Sequence, residues 1–266
     1  MSANLLLNPK KSEKVTVDQL RAVETPEPEG KHFPIPHHRL YDTSRELLTT
    51  GGNEIINEQH GVSHDGALYF ALLEIRNETP NGEFCRVVGL RNSHNKLFSA
   101  SLIAGTSVFV CDNLSFSGEI KVGRKHTTFI NRDLPRLINL ATAKMGEAWV
   151  NQEARVEAYK DHELTRPEVH DIVCNALIAQ ALPSSKIKPV LEEWEKPRHE
   201  EFEPDTAWSL FNAVTEIGKE WPVNTLLDRT IRLQGQLDEL VGHAPLPSLK
   251  TADVVDVDSE IIVITE

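Results

Sequence analysis

Between residues 53 and 123 the apolar positions alternate or cluster in short runs, whereas from Asp133 onward they recur every three or four residues. Period two marks strands and period 3.6 marks helices, so a β-rich part is followed by a helical one. Ile55-Ile56, Ala67 to Ile75, Phe84 to Leu90 and Ser107 to Cys111 are the β-rich runs. Asp65-Gly66 and Asn81-Gly82 separate them. Such pairs supply the positive φ angles of tight hairpins, which predicts an antiparallel β-meander of about five strands. Leu68, Phe70 and Leu72 on one face, with Tyr69, Ala71 and Leu73 on the other, predict a central strand covered on both sides.

Leu134, Leu137, Ile138, Ala141, Met145, Ala148, Trp149, Val156 and Tyr159 form the apolar stripe of the helical part, with Arg136, Lys144, Glu153 and Lys160 between them. That spacing predicts one long amphipathic helix from Asp133, with Pro135 in its first turn, backing the sheet. Shorter helices are expected at 167–182, 186–195, 205–220 and 224–241, the last closed by Gly242. Before the sheet, a short helix over 42–48 is capped by Thr43 or Ser44 and stopped by Gly51-Gly52. The fold class is therefore α+β, and Leu68, Phe70, Val88, Val108, Val110, Leu137 and Ala141 are expected in the core. The chain divides into a proline-rich, extended or disordered arm (1–36), an α+β core domain (37–165), a helical C-terminal region (166–243) and an acidic tail (244–266).

With 266 residues, 39% apolar and 26% charged, the composition is that of an ordinary globular protein. Leu5-Leu6-Leu7 is far shorter than a signal-peptide core, so a cytoplasmic location is expected, with no membrane. Cys85, Cys111 and Cys174 lie far apart and are expected to be buried, reduced thiols. Charge changes the picture more. The formal net charge is −12, yet residues 86–145 hold 9 Lys+Arg against 3 Asp+Glu. A locally basic face survives on an acidic protein because salt screens exposed charges more than ~8 Å apart.

That basic segment carries the candidate chemistry. Arg91, Lys96, Lys121, Arg124, Lys125 and His126 flank the strands, Asn92, Ser93 and His94 offer hydrogen-bond groups, and Phe98, Phe109 and Phe116 offer stacking surfaces. Cations interleaved with aromatics are how single strands are held without base readout. Other chemistries find less support. His37-His38, His60, His64, His94 and His126 lack paired zinc spacing, and no phosphate loop, dinucleotide fingerprint or nucleophile elbow is present, so no metal or cofactor is expected. Ser93 beside His94 makes no triad by adjacency, and Asn92, Ser93 and Asn95 also suit a hydrogen-bonded turn. A nuclease or hydrolase using His94 and His126 as acid and base stays open, provided both rings converge on one phosphate.

Residues 91–127 resemble the phage/plasmid-like proteins grouped as domain of unknown function family 932. The residues that carry the likeness are Arg91-Asn92-Ser93-His94-Asn95, Val108-Phe109-Val110-Cys111-Asp112-Asn113-Leu114, Gly118 and Lys125-His126-Thr127. Asn95 departs from the family's usual Asp, which weakens any metal or base role there. The resemblance implies phages, prophages and plasmids as the setting and no settled activity. A helix, a meander and a long crossing helix is also the layout of Rad52-like annealing proteins, an analogy of fold. The expected partners are single-stranded nucleic acid at the basic segment, host or phage proteins at the acidic C-terminal region, as for an anti-defence factor, and a second copy of the chain. The tail, where Asp253, Asp256, Asp258 and Glu260 alternate with Val254, Val255, Val257 and Ile261, is expected to dock as an added strand or to compete with phosphates.

Overall fold

The computed structural model describes residues 12–76, 84–108, 113–203, 205–219, 221, 223–245 and 249–250. Its elements run β1 (Ser12–Val15), α1 (Val17–Arg21), α2 (His37–Thr50), β2 (Ile55–Ser63), β3 (Leu68–Ile75), β4 (Phe84–Ser93), β5 (Ala100–Val108), β6 (Asn113–Arg124), α3 (Ile130–Asp161), α4 (Arg166–Ile178), α5 (Ile187–Glu195), α6 (Ala207–Gly218), α7 (Val223–Val241) and β7 (Leu249–Lys250). The strands form one sheet in chain order, antiparallel from β1 to β6, with β7 added parallel to β6. The fold is α+β, a meander backed by a long helix and followed by helices, as the hydrophobic pattern predicts.

Gly66 closes the β2–β3 hairpin at φ +69°, a conformation that a side chain would strain. The Asn81-Gly82 turn and Val110 lie outside the described residues. Strand β5 escapes the β-rich signal because Ala100, Ser101, Ala104, Gly105 and Ser107 are small.

The two faces of the sheet are covered differently. On the first, Tyr69, Ala71, Leu73, Val88, Leu90, Leu102 and Val122 pack against α2 and the N-terminal part of α3, around Leu137, Ile138, Ala141 and Met145. On the second, Leu72, Cys85, Val87 and Ile103 meet the C-terminal helices through Val156, Tyr159, Trp208, Phe211 and Leu233. Helix α3 thus contributes to both cores. Buried Arg155 on α3 ties it to α7, with Nε 2.8 Å from Asp238 Oδ1, which also accepts from Tyr159 Oη at 2.7 Å.

Several expectations need correction. The N-terminal arm is neither disordered nor merely extended from residue 12 onward: β1 pairs with β2, α1 has a capping box at Thr16, and Leu20 and Ile35 are buried. Helix α2 is longer than expected and begins after Pro36, and Ser44 is a buried interior residue of it rather than a cap. Helix α3 starts earlier, at Ile130, so Pro135 lies beyond the first turn. Cys174 is exposed, while Cys85 is buried; Cys111 lies outside the described residues. Val88, Leu137 and Ala141 are core, but Leu68 and Phe70 are only half-buried. The second face is covered at the Leu72 end of β3 and much less so at the Phe70 end.

Candidate nucleic-acid interface

The motif residues divide into an interior group and a surface group. Strand alternation sends Asn92 to the first face and Arg91 and Ser93 to the second. Asn92 is fully buried and is the hub of a polar cluster. Its Nδ2 donates to the Ile35 carbonyl at 3.0 Å and to His37 Nδ1 at 2.9 Å, and its Oδ1 accepts from His126 Nε2 at 2.7 Å. His94 Nε2 donates to the same Ile35 carbonyl at 3.0 Å, and His37 Nε2 donates to the Gly66 carbonyl at 2.9 Å. These bonds are all made by neutral imidazoles carrying the proton on Nε2. The rings of His37 and His94 stack with centroids 3.9 Å apart, and His37 also stacks on Tyr69. Beyond Tyr69, whose hydroxyl lies 3.0 Å from His60 Nδ1, the ring stack continues to His60.

Burial dominates the titration of this cluster. It pushes His37 down to about 3, helped by charge repulsion from His94, and His126 down to about 4, helped by His32 and His94. His94 and His60 are lowered for the same first reason. A proton added at His37 Nδ1 would face the Asn92 amide donor, so neutrality and hydrogen bonding demand the same state. The cluster fastens the segment before α2 to the end of the sheet.

Ser93 is fully buried too; it donates to Asn95 Oδ1 at 2.8 Å and accepts from the Leu97 amide at 3.0 Å, the turn role read from sequence. Arg124 is buried, 2.9 Å from the Asp133 carboxylate. The structure therefore places Asn92, Ser93, His94, Arg124 and His126 inside. His94 and His126 come together there, but each ring is committed to an interior partner. Lys96 is exposed in a left-handed turn and pairs with Glu29 at 2.8 Å; Lys125 is exposed. Phe109 and the side chain of Phe116 lie outside the described residues.

Arg91 and Lys121 remain, both on the second face. The register lines up Lys14, Gly61, Phe70, Arg91, Ser101 and Gly123 in one row across β1 to β6. The next row holds Gln59, Leu72, Gly89, Ile103 and Lys121. Arg91 sits over the Phe98 ring, 5.2 Å from its centroid, and Phe98 packs on Phe70 at 5.5 Å. Among the described residues Arg91 makes no hydrogen bond and no ion pair, and its Nε is buried without a partner. Burial lowers its pKa, and the charge of Asp228 on α7 counters that shift. Asp228 also lies 3.7 Å from Lys121 Nζ. Sequence reasoning missed Lys14, Gln59, Phe70 and Asp228; only strand register and the packing of α7 bring them together.

A meander carrying a half-open basic and aromatic face, with a long helix crossing behind it, defines a class of single-sheet α+β proteins. Within it the chain belongs to the family described as Domain of unknown function (DUF932), which matches residues 30–220. No curated protein and no solved structure matches the chain. Among the described residues no group of three or more His, Cys, Asp or Glu could hold a metal ion, and no helix is long and apolar enough to cross a membrane.

Proposed function

We propose that the protein binds single-stranded nucleic acid across the open end of the second sheet face. In the phage and plasmid setting of the family resemblance, it serves as an accessory factor in recombination, replication or repair, of the Rad52-like annealing type. The observation that carries this reading is Arg91, a half-buried guanidinium held against Phe98 with no carboxylate in ion-pair contact among the described residues. Sequestering a cation without a partner disfavours the free protein, and a phosphate supplies the missing acceptor. Phe98 and Phe70 give the sequence-tolerant stacking surface that a single strand offers its bases to. Gly61, Ser101 and Gly123 keep the row beside them low; Lys14 adds charge at the β1 end of that row and Lys121 at the β6 end of the next.

Fluorescence anisotropy of a labelled oligonucleotide tests the reading. Binding is expected at low salt, and Arg91→Ala should weaken it at least tenfold, as loss of a charge-assisted contact does. Lys96→Ala and Lys125→Ala should weaken it less, because both lie in loops beyond the strands that carry this face. No binding at low salt, or binding indifferent to Arg91→Ala, would refute the proposal.

A further inference from the structure

We infer that the solvent side of α3 is a self-association surface, on which a second copy of this chain docks antiparallel. It is a different surface from the sheet face proposed for nucleic acid. Arg132, Arg136, Ala143, Val150, Glu157 and Asp161 follow one another at steps of four, seven, seven, seven and four residues, a spacing that returns each to the same side of a helix. All six are exposed, and Val150 is 64% exposed although Trp149 and Val156 of the same helix are buried. A Cβ at Gly146, one turn before Val150, would meet nothing within 4 Å, so the backbone there is open to close approach by another helix.

The charges identify the occupant. This side of α3 is basic at its N-terminal end and acidic at its C-terminal end, with Ala143 and Val150 between. The signs at Arg132 and Asp161, in the first and last turns, oppose the helix dipole, so helix stability does not account for them. An antiparallel second α3 does. The pattern is symmetric about the point between Gly146 and Glu147, and a two-fold axis there brings opposite charges together at both ends. Arg132 then meets Asp161 of the partner subunit, Arg136 meets Glu157 of the partner subunit, and Val150 packs on Ala143 of the partner subunit. Glu147, nearest the axis, is flanked by Lys144 of the partner subunit, which offsets the approach of the two like charges. Within one chain Arg132 pairs with Asp133 and Glu157 with Lys160, contacts that exposed side chains can share or exchange. A parallel copy would instead set like charge against like. One helix pair buries less than the ~1,600 Å² of a standard interface, so the dimer is expected to dissociate at about 10 to 100 μM.

Sedimentation equilibrium of the full chain at low salt tests this. The average mass should rise from that of a monomer toward that of a dimer as concentration passes through the same range. Val150→Glu should keep the protein monomeric throughout. Arg136→Glu and Glu157→Arg should each weaken dimerisation about tenfold, since each turns two attractive pairs into repulsive ones. Mixing these two variants should restore association to within about threefold of the wild type, because every pair across the axis again joins opposite charges. All three positions are exposed, and unchanged thermal unfolding verifies the fold of each variant. A wild type that stays monomeric to about 0.2 mM leaves this side of α3 to solvent or to a different protein and overturns the inference. A dimer that survives Val150→Glu places the contact elsewhere and overturns it as well. Charge variants that fail to associate when mixed overturn the antiparallel pairing, and the inference with it.

Discussion

Acidification should unfold this protein through its buried histidines before its carboxylates matter. His37 and His126 titrate near 3 and 4 in the folded chain, against an ordinary 6.5. Because the folded values are depressed, the stabilisation is complete above 6.5 and is lost as pH falls below it, when the unfolded chain takes up protons that the folded one refuses. At pH 5 both rings are still neutral in the fold, so the loss depends almost wholly on the unfolded value and comes to about 2 kcal/mol per histidine, about 4 kcal/mol for the pair. The side chains are 1% and 6% exposed, so solvent screening takes little from that figure. It is a large part of the ~5 to 15 kcal/mol that holds a typical domain together. Urea unfolding followed by the fluorescence of the four tryptophans measures it. Between pH 6 and 5, stability should fall by about 2.4 kcal/mol, the uptake of just under two protons by the unfolded chain, and lowered His94 and His60 steepen it further. A His37→Gln, His126→Gln double variant should start less stable and lose most of that slope. A wild-type slope below one proton over this range would refute the picture of a neutral interior cluster.

Other outcomes follow from single contacts. Asn92→Ala removes the partner of His37, His126 and the Ile35 carbonyl at once and should cost about 3 kcal/mol in thermal or urea unfolding, the scale of leaving buried polar groups unsatisfied. Asp238→Ala removes the buried carboxylate that Arg155 and Tyr159 share and should cost about 3 to 5 kcal/mol, whereas exchanging Arg155 and Asp238 together for apolar residues should cost far less. Gly123→Ala puts a methyl 2.5 Å from Ser101 Oγ and 3.0 Å from the Ala100 carbonyl; it should destabilise by about 1 to 3 kcal/mol, with partial rescue by Ser101→Gly. If Lys14, Arg91 and Lys121 are the cations engaged, log affinity for an oligonucleotide should fall with log salt at a slope of about −2, and a slope near zero would exclude a phosphate-bound strand.

The meander, the long helix and the four shorter helices after it were legible because each is a local pattern: alternation, three-four spacing, and glycine or proline punctuation. What the pattern could not convey was which apolar or polar position ends up inside. Phe70 alternates like any core residue, and its half-exposure follows from the C-terminal helices reaching the Leu72 end of the face and leaving the other end open. Asn92, His94, Arg124 and His126 read as surface groups because burying them unpaired is costly. They are inside because groups from elsewhere in the chain meet them there: Ile35 and His37 bond Asn92, Ile35 also bonds His94, Asn92 bonds His126, and the Asp133 carboxylate pairs with Arg124. The turn at Ser93 and Asn95 was readable, being a contact over two residues. The acidic alternation of the tail lies outside the described residues, and its expected docking is a matter for a truncation at residue 245.

Helix α3 belongs to two cores, and its 32 residues span about 48 Å, so neither core can be excised without leaving half a helix bare. During synthesis the sheet and the first half of α3 leave the ribosome long before α7 supplies Asp238 to Arg155. Until then the later turns of α3 expose Val156 and Tyr159. A nascent chain arrested between α4 and α6 is therefore the form most exposed to proteases and chaperones. A protease cutting after residue 161 should release a fragment that aggregates rather than a stable subdomain.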